Sequence, residues 1–317
     1  MKASLIEFKN GISNLLDYID ILNSHSKVIK NTDTNLSNDF KNYVNKVKSF
    51  RKEKSRFEYN SIIITLYGYI EQCIESLVSD YVNTLIKIEG ETSSLPDKIL
   101  RNHTDLTIKK ISKGKSYNNL NDPDIREMIS NLNNCLQNKD PLSLNSAAFA
   151  YHTSNIRVSE IDRMFSKVGI NTACRKAAST HQFKKFITEN HPNRSLNSGH
   201  EEESLTEIDD LAERRNEVAH GLTHDILSID LLLENISFVK AFGKALFQVI
   251  SEECLPSVVN NHGIRLGKPI NVYDNKIVCV NNRKNRIEEN HGLVFENENT
   301  SHYTMSLIKN MQINKKM

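Results

Sequence analysis

The sequence predicts a mainly α-helical protein, a helical bundle that carries a small β module at its C-terminus. Apolar residues recur at helical spacing from the N-terminus to about residue 255. After Pro256 the pattern changes to short β-type runs, which Asn, Asp and Gly residues separate. We therefore expect an α-helical domain over residues 1–255 and a β module of unknown role over residues 256–317.

Helix-forming segments follow one another along the first part of the chain. Two amphipathic helices come first, with apolar residues from Leu5 to Leu22 and from Phe40 to Val47. A third helix, from about residue 56 to 89, is apolar over more than half of its circumference, which is typical of the central helix of a bundle. Shorter helices fill the middle region, and a last long helix spans about 226–254. The apolar runs of the β module lie near 270–272, 277–280 and 293–295.

Composition limits the function classes. The net charge of +2 does not identify a nucleic-acid binder, and it does not exclude one whose basic residues are local. No apolar run approaches the ~18 residues of a membrane span, and the N-terminus has no signal-peptide core. The five cysteines are far apart and show no metal-ligand spacing. We expect a cytoplasmic protein with reduced thiols, no membrane segment, no metal and no cofactor.

A short motif from Arg214 to Gly221 reads Arg-Arg-Asn-Glu-Val-Ala-His-Gly and ends a predicted helix. Gly221 is typical of a helix C-terminus, because only glycine enters the left-handed region at low cost. Apolar residues surround the motif at helical spacing, and Arg215 falls in the middle of that apolar stripe. Asn216 and His220 are four residues apart and share one helix face. The motif thus gathers a cation, an amide and an imidazole at one helix end.

Arg215 needs a partner, because an arginine in an apolar seam is costly unless it meets an anion. The anion is either a protein carboxylate, such as Glu71 of the central helix, or a phosphate of a ligand. Both roles are compatible, since a carboxylate can hold the guanidinium ready for an incoming phosphate. The simplest structural role of His220 is an interaction with the helix dipole. Asn216 would then only bond a neighbouring carbonyl.

The pattern Arg-Asn-x-x-x-His-Gly at residues 215–221 resembles the signature of the HEPN superfamily. Upstream, the segment 66–71, Leu-Tyr-Gly-Tyr-Ile-Glu, resembles the Leu-Tyr-x-x-x-Glu helix of its RiboL-PSP-like prokaryotic branch. The segment 208–211, Ile-Asp-Asp-Leu, leads into the motif and also fits that branch. The resemblance covers roughly residues 55 to 250 and leaves the C-terminal part unexplained.

The resemblance implies an RNA endonuclease, since many HEPN proteins cut RNA without a metal ion. His220 would act as general acid or base, Arg215 would neutralise charge on the phosphorus, and Asn216 would orient the phosphate or the imidazole. Glu71 would support Arg215 or orient His220, and Arg214 is an alternative cation. Because HEPN members typically form their site across a dimer, we expect a homodimer. The protein would act in phage defence or as a toxin, and a defence protein or an antitoxin would be its partner.

A non-catalytic HEPN module is the alternative function. Its helical face would bind a nucleotide or a partner protein, and Arg215 and Glu71 would form an internal ion pair. Opening of Arg215 and His220 to solvent in a shared cleft would discriminate between the two functions. A DNA nuclease is less well supported, because no carboxylate cluster for a metal is evident.

Two basic segments are candidates for contacting an RNA backbone. One contains Lys46, Lys48, Arg51, Lys52, Lys54 and Arg56, and the other contains Lys109, Lys110, Lys113 and Lys115, with Tyr117 beside it. A solvated helix face is the ordinary explanation of each segment. Binding of single-stranded RNA would add phosphate pairing and base stacking.

Overall fold

A computed structural model confirms the predicted fold class. The structure describes residues 1–30, 37–91, 94–116, 121–139, 142–191, 204–222, 225–274, 276–281, 286–297 and 302–312. Helices form most of these residues, and the strands lie in the C-terminal part. The chain is thus a helical bundle followed by short β-hairpins.

The helices in the described ranges are α1 (Lys2–Lys30), α2 (Asn38–Ser49), α3 (Arg51–Glu89), α4 (Asp97–Ser116), α5 (Asp122–Leu136), α6 (Ser146–Ala150), α7 (Val158–Ser166), α8 (Ala173–Ser179), α9 (His181–Asn190), α10 (Thr206–Ala219), α11 (Ile229–Glu253) and α12 (Leu255–His262). The strands are β1 (Asn271–Tyr273), β2 (Ile277–Cys279), β3 (Gly292–Asn297) and β4 (His302–Leu307). A single residue, Phe50, separates the second and third helices. Phe50 is the C-cap residue of α2, and α3 begins at the next residue.

Helix α3 lies at the centre of the bundle. It packs against α1, α6, α10 and α11, and its Ile63, Leu66, Ile74 and Leu77 side chains are fully buried. Burial of each such side chain stabilises the fold by about 1.5–3 kcal/mol relative to exposure. This packing fixes the position of α10, the helix that ends in the Arg-Asn-x-x-x-His-Gly motif.

Helix α1 approaches its neighbours closely at two glycines. A Cβ atom at Gly11 would lie 2.8 Å from the Tyr69 ring of α3, and one at Gly243 of α11 would lie 2.5 Å from the Phe8 ring of α1. Both distances are shorter than the ~3.5–4.0 Å of favourable carbon–carbon contact. Glycine at these positions therefore allows α1 to pack tightly between α3 and α11.

The described strands of the C-terminal part form two antiparallel hairpins. In β1–β2 Asn271 pairs with Cys279, and in β3–β4 Gly292 pairs with Leu307. Helix α12 precedes these hairpins, so the helical part of the chain extends beyond residue 255. Pro256 lies in the first turn of α12, where the missing N–H of proline costs no helical hydrogen bond. Helix α12 packs against α3, and β4 contacts α11 and α12. The division of the chain into a domain over residues 1–255 and a module over residues 256–317 stays a prediction.

Buried thiols and helix lengths complete the description of the fold. Burial raises the pKa of the Cys73 and Cys254 thiols to about 12, so both stay protonated and pack as apolar groups. All five cysteines are free. None of the helices in the described ranges has the length and apolar character needed to cross a membrane.

Candidate functional site

Helix α10 ends at the motif in the way that the sequence predicts. Gly221 has a φ of +68°, and two backbone hydrogen bonds close the helix. They run from Gly221 N to Val218 O at 3.1 Å and from Leu222 N to Glu217 O at 2.8 Å. This pair of bonds is a Schellman motif, which satisfies carbonyls that a helix end leaves unpaired. The backbone of His220, the C-cap residue, is therefore fixed, while its side chain is exposed.

Arg215 lies over an aromatic ring. Its Cζ atom is 5.2 Å from the centroid of the Tyr67 ring of α3, and the side chain is half-buried. Such a cation–π contact is worth about 0.5–1 kcal/mol at a partly exposed site. The guanidinium NH1 also approaches Asn216 Oδ1, at 3.4 Å. The ring supports the guanidinium without using its N–H donors, which leaves donors for an anion.

Glu71 is not the partner of Arg215 that the sequence suggests. Burial and the nearby Glu71 carboxylate raise the pKa of the Tyr67 hydroxyl to about 12, and Glu71 Oε1 lies 3.9 Å from Nε2 of His152. Glu71 follows Tyr67 by one helical turn, so it lies beside that ring while Arg215 covers the ring face. Across the described ranges no ion pair joins Arg215 to Glu71. The internal pair that a non-catalytic module would contain is thus missing from these contacts.

Arg214, the alternative cation, has protein partners. Its Nε donates to Asp210 at 2.7 Å, and its NH1 donates to the Tyr59 hydroxyl at 3.1 Å and to the carbonyl of Asp225 at 3.4 Å. Burial opposes the charge, but Asp210 and Tyr59 outweigh it and raise the pKa of Arg214. These bonds tie α10 to α3 and to the segment before α11. Arg214 is therefore held by the fold, whereas Arg215 keeps donors for a ligand.

The segment 151–158, which joins α6 to α7 and ends at the first residue of α7, contacts the motif helix. Asn155 Nδ2 donates to Asn216 Oδ1 at 2.8 Å, which holds the Asn216 amide in one orientation. Three more contacts bind the segment to α3 and α10: Ile156 N to Tyr67 Oη at 2.7 Å, Val158 N to Asp209 Oδ1 at 2.8 Å, and an ion pair between Arg157 and Glu213. The Asn216 oxygen is thus occupied by neighbours from two directions.

His152 belongs to this cluster, although nothing in its sequence spacing marks it. Its Nδ1 faces the Ser154 carbonyl at 2.8 Å, and its Nε2 faces Glu75 Oε1 at 3.1 Å. Because both partners are acceptors, only the doubly protonated ring satisfies both nitrogens. In agreement, the hydrogen bond to Glu75 raises the pKa of His152 against the opposing effect of burial. His152 and Glu75 are 77 residues apart, so the contact is visible only in the fold.

Arg215 and Asn216 lie near the C-terminal end of α10, and His220 is its C-cap residue, so the motif ends a helix as the sequence predicts. A rise of about 1.5 Å per residue places Arg215 and His220 about 7.5 Å apart along the helix axis. Arg215 and Asn216 are half-buried, and His220 is exposed. Within the described residues the His220 ring has no hydrogen-bond partner. An imidazole that can move a proton and a guanidinium that can bind a phosphate therefore lie within about one and a half turns of each other at the end of α10.

The four α4 lysines that are predicted to contact RNA give less support to that contact than their number suggests. Lys110 is half-buried, and its Nζ donates to the Ala147 carbonyl at 3.0 Å, while burial lowers its pKa. Lys109 and Lys113 are exposed. The side chain of Lys115 and all of Tyr117 lie outside the described residues, as does His224 beyond the motif. The predicted RNA contact at α4 thus has two exposed lysines to support it.

Metal ligands and cavities give no further site at the motif. Among the side chains that the structure describes, no three His, Cys, Asp or Glu residues are grouped so as to hold a metal ion. A groove of about 490 Å³ lies between α1 and α3, where Ser4, Tyr69 and Gln72 line it. The residues that line this groove belong to α1 and α3, and the motif residues of α10 are not among them.

The class of this protein is a helical HEPN domain, as a match to a family model shows. The sequence model of the family described as RiboL-PSP-HEPN matches residues 13–252, from α1 to the last turn of α11. The chain therefore belongs to the RiboL-PSP-HEPN family. No curated protein and no solved structure matches the chain significantly. HEPN domains bind RNA and often dimerise, so this membership associates the chain with RNA.

Proposed function

We propose that this protein is a metal-independent RNA endonuclease that acts by transphosphorylation. The ribose 2′-oxygen attacks the adjacent phosphorus, the bond from phosphorus to the 5′-oxygen breaks, and the products are a 2′,3′-cyclic phosphate and a 5′-hydroxyl. The proton of the 2′-hydroxyl leaves to a base, and the departing 5′-oxygen takes up a proton. The placement of Arg215 and His220 at one helix end, with Arg215 held by a ring and not by a carboxylate, carries this proposal.

Each motif residue has a role that its environment allows. His220 is exposed and moves the proton as general acid or base. Arg215 directs its N–H donors at the phosphate, where charge grows in the transition state. Asn216 has its oxygen occupied by Asn155 and Arg215, so its amide nitrogen is the group that orients the phosphate or the imidazole. The substrate supplies the nucleophile, so this reaction needs only proton transfer and charge stabilisation.

The proposed reaction has a direct test in its products. We expect purified protein to cleave total RNA and tRNA in the presence of a chelator, and to leave DNA intact because DNA lacks the 2′-hydroxyl. End analysis would then detect a 2′,3′-cyclic phosphate on one fragment and a 5′-hydroxyl on the other. An absolute requirement for added magnesium, or products with 5′-phosphates, would contradict the mechanism and favour a binding module.

We further propose that the enzyme is a homodimer with His220 of each chain near the interface. The residues just after the motif expose apolar side chains: Leu222 (56%), Ile226 (43%), Ile229 (39%) and Leu231 (46%). Monomeric proteins seldom expose so many neighbouring apolar side chains without a binding role. A two-fold contact at this surface brings two copies of the motif together. Such a pair acts in phage defence or as a toxin, under the control of a defence or antitoxin partner.

Light scattering tests the dimer. We expect the native protein to show twice the chain mass of 36.2 kDa, and the double variant Leu222→Glu/Leu231→Glu to show the chain mass alone. Two carboxylates on each face would repel across a two-fold contact and would not be desolvated. Ile270→Glu is the matched control, because Ile270 is exposed far along the chain from the motif. A native monomer with full ribonuclease activity would overturn this assembly.

A further inference from the structure

Phe50 and Phe57 form an exposed aromatic pair where α2 meets α3. Phe50 is 52% exposed and Phe57 is 62% exposed. Their rings are stacked, with 6.2 Å between centroids and 27° between planes. Two large apolar side chains in this position gain little from the core of their own chain. Their exposure therefore indicates a binding partner that covers the faces of the two rings.

Basic residues flank this aromatic pair in the sequence. Residues 46–57 contain six lysines and arginines and a single carboxylate, Glu53, although the whole chain has a net charge of only +2. Lys54 is paired with Glu58. Lys46, Lys48, Arg51 and Lys52 are exposed and make no ion pair with any residue that the structure describes. The aromatic pair and these four cations, together the Phe50–Phe57 patch, suit an anionic partner that also has flat rings.

One side of α3 connects the Phe50–Phe57 patch with the contacts of the motif. Phe57, Ile64 and Glu71 are seven residues apart, so they drift by only about 20° per step around the helix and share one side of it. Ile64 is exposed, and Glu71 lies one turn after Tyr67, the ring under Arg215. The rise of the helix puts Phe57 about 21 Å from Glu71. A polymer chain could therefore contact the patch and reach the α10 site at once.

We propose that the Phe50–Phe57 patch binds single-stranded RNA, with bases stacked on the two rings and phosphates paired with the surrounding cations. The assignment rests on the proposed ribonuclease function and names where its substrate is held. Base–aromatic stacking beside a positive surface is the usual design for binding single strands without sequence preference. The patch thus holds a strand whose scissile phosphate lies at Arg215 and His220.

A partner helix fits this surface less well than RNA. Helix docking needs apolar side chains three or four residues from each anchor as well as at the anchors. Those positions between Phe50, Phe57 and Ile64 hold polar residues, Glu53, Lys54, Asn60 and Ser61. The cations around the rings would also remain uncompensated against an apolar partner.

Binding is tested by fluorescence anisotropy with a labelled single-stranded RNA of about twelve nucleotides, in the range of typical single-strand sites. The parent protein carries His220→Ala, so that the RNA stays intact. Phe50→Leu/Phe57→Leu keeps an apolar surface but removes the rings, and we expect affinity to fall at least about tenfold. Phe50→Tyr/Phe57→Tyr should keep the parent affinity, because a phenol ring stacks as well. Lys48→Gln/Lys52→Gln should lower the salt slope of log K by about 0.7 for each lost phosphate contact.

Three results would overturn the patch. The first is unchanged RNA affinity in the leucine double variant. The second is a loss confined to Lys109→Gln/Lys113→Gln, which would move the RNA to α4. The third is a changed mass of the leucine variant in light scattering with unaltered RNA affinity, which would make the patch a protein interface. If the native enzyme cuts no RNA while the leucine variant still loses affinity, the ribonuclease proposal fails and the binding surface stands.

Discussion

Replacing His220 by alanine is expected to lower the rate of RNA cleavage by about 10²–10⁴, the usual size of a general acid–base contribution. In barrier terms this loss is about 2.7–5.5 kcal/mol. The imidazole is exposed, and the bonds that close α10 use backbone atoms, which alanine retains. The free energy of unfolding should therefore change by no more than about 0.5 kcal/mol. Single-turnover kinetics at saturating RNA measure the rate, and chemical denaturation measures the stability.

A matched control exists for this experiment. His262 is likewise exposed at the end of a helix and is likewise followed by glycine, Gly263. His262→Ala should keep the native rate, because α12 lies away from the motif helix along the chain and no motif residue contacts it among the described hydrogen bonds. A native rate in His220→Ala would remove the proton-transfer role and leave RNA binding as the function. Equal losses in both variants would indicate a general effect of helix ends.

The end of α10 is predictable from sequence because its causes are local. Gly221 adopts a positive φ and closes a Schellman motif, and both features depend on residues within one turn. The central role of α3 is predictable for a similar reason, since apolar residues on more than half of a helix surface leave only a buried position. Sequence patterns that involve residues close together in the chain therefore predict these features of the fold.

Partner choice at the site depends on long-range geometry and is not predictable in the same way. Tyr67 and Glu71 lie one turn apart on α3, so both are suitable neighbours of an arginine on α10. The crossing of the two helices decides between them, and it places the Tyr67 ring against Arg215. His152 and Asn155 reach the site from the segment 151–158. This segment has no helical periodicity from which their contacts could be predicted.

The second large effect is expected for Arg215→Lys, which should lower kcat/KM by about 10²–10³, as the loss of one charge-stabilising donor usually does. An ammonium keeps the charge but cannot make two parallel bonds to a phosphate. Stability should change little, because the contact with Tyr67 is worth about 0.5–1 kcal/mol and a lysine partly retains it. Activity and stability are thus separated at this position.

Arg214→Lys provides the opposite case on the same helix. A lysine can keep an ion pair with Asp210, but it cannot also bond the Tyr59 hydroxyl and the Asp225 carbonyl in the geometry of a guanidinium. We expect a lower free energy of unfolding, by about 1–3 kcal/mol, and a near-native rate in the folded fraction. The comparison needs only steady-state kinetics and denaturation of both variants. If Arg214→Lys loses the rate and Arg215→Lys keeps it, Arg214 is the arginine that meets the phosphate, and the ring under Arg215 serves only the packing of α10 on α3.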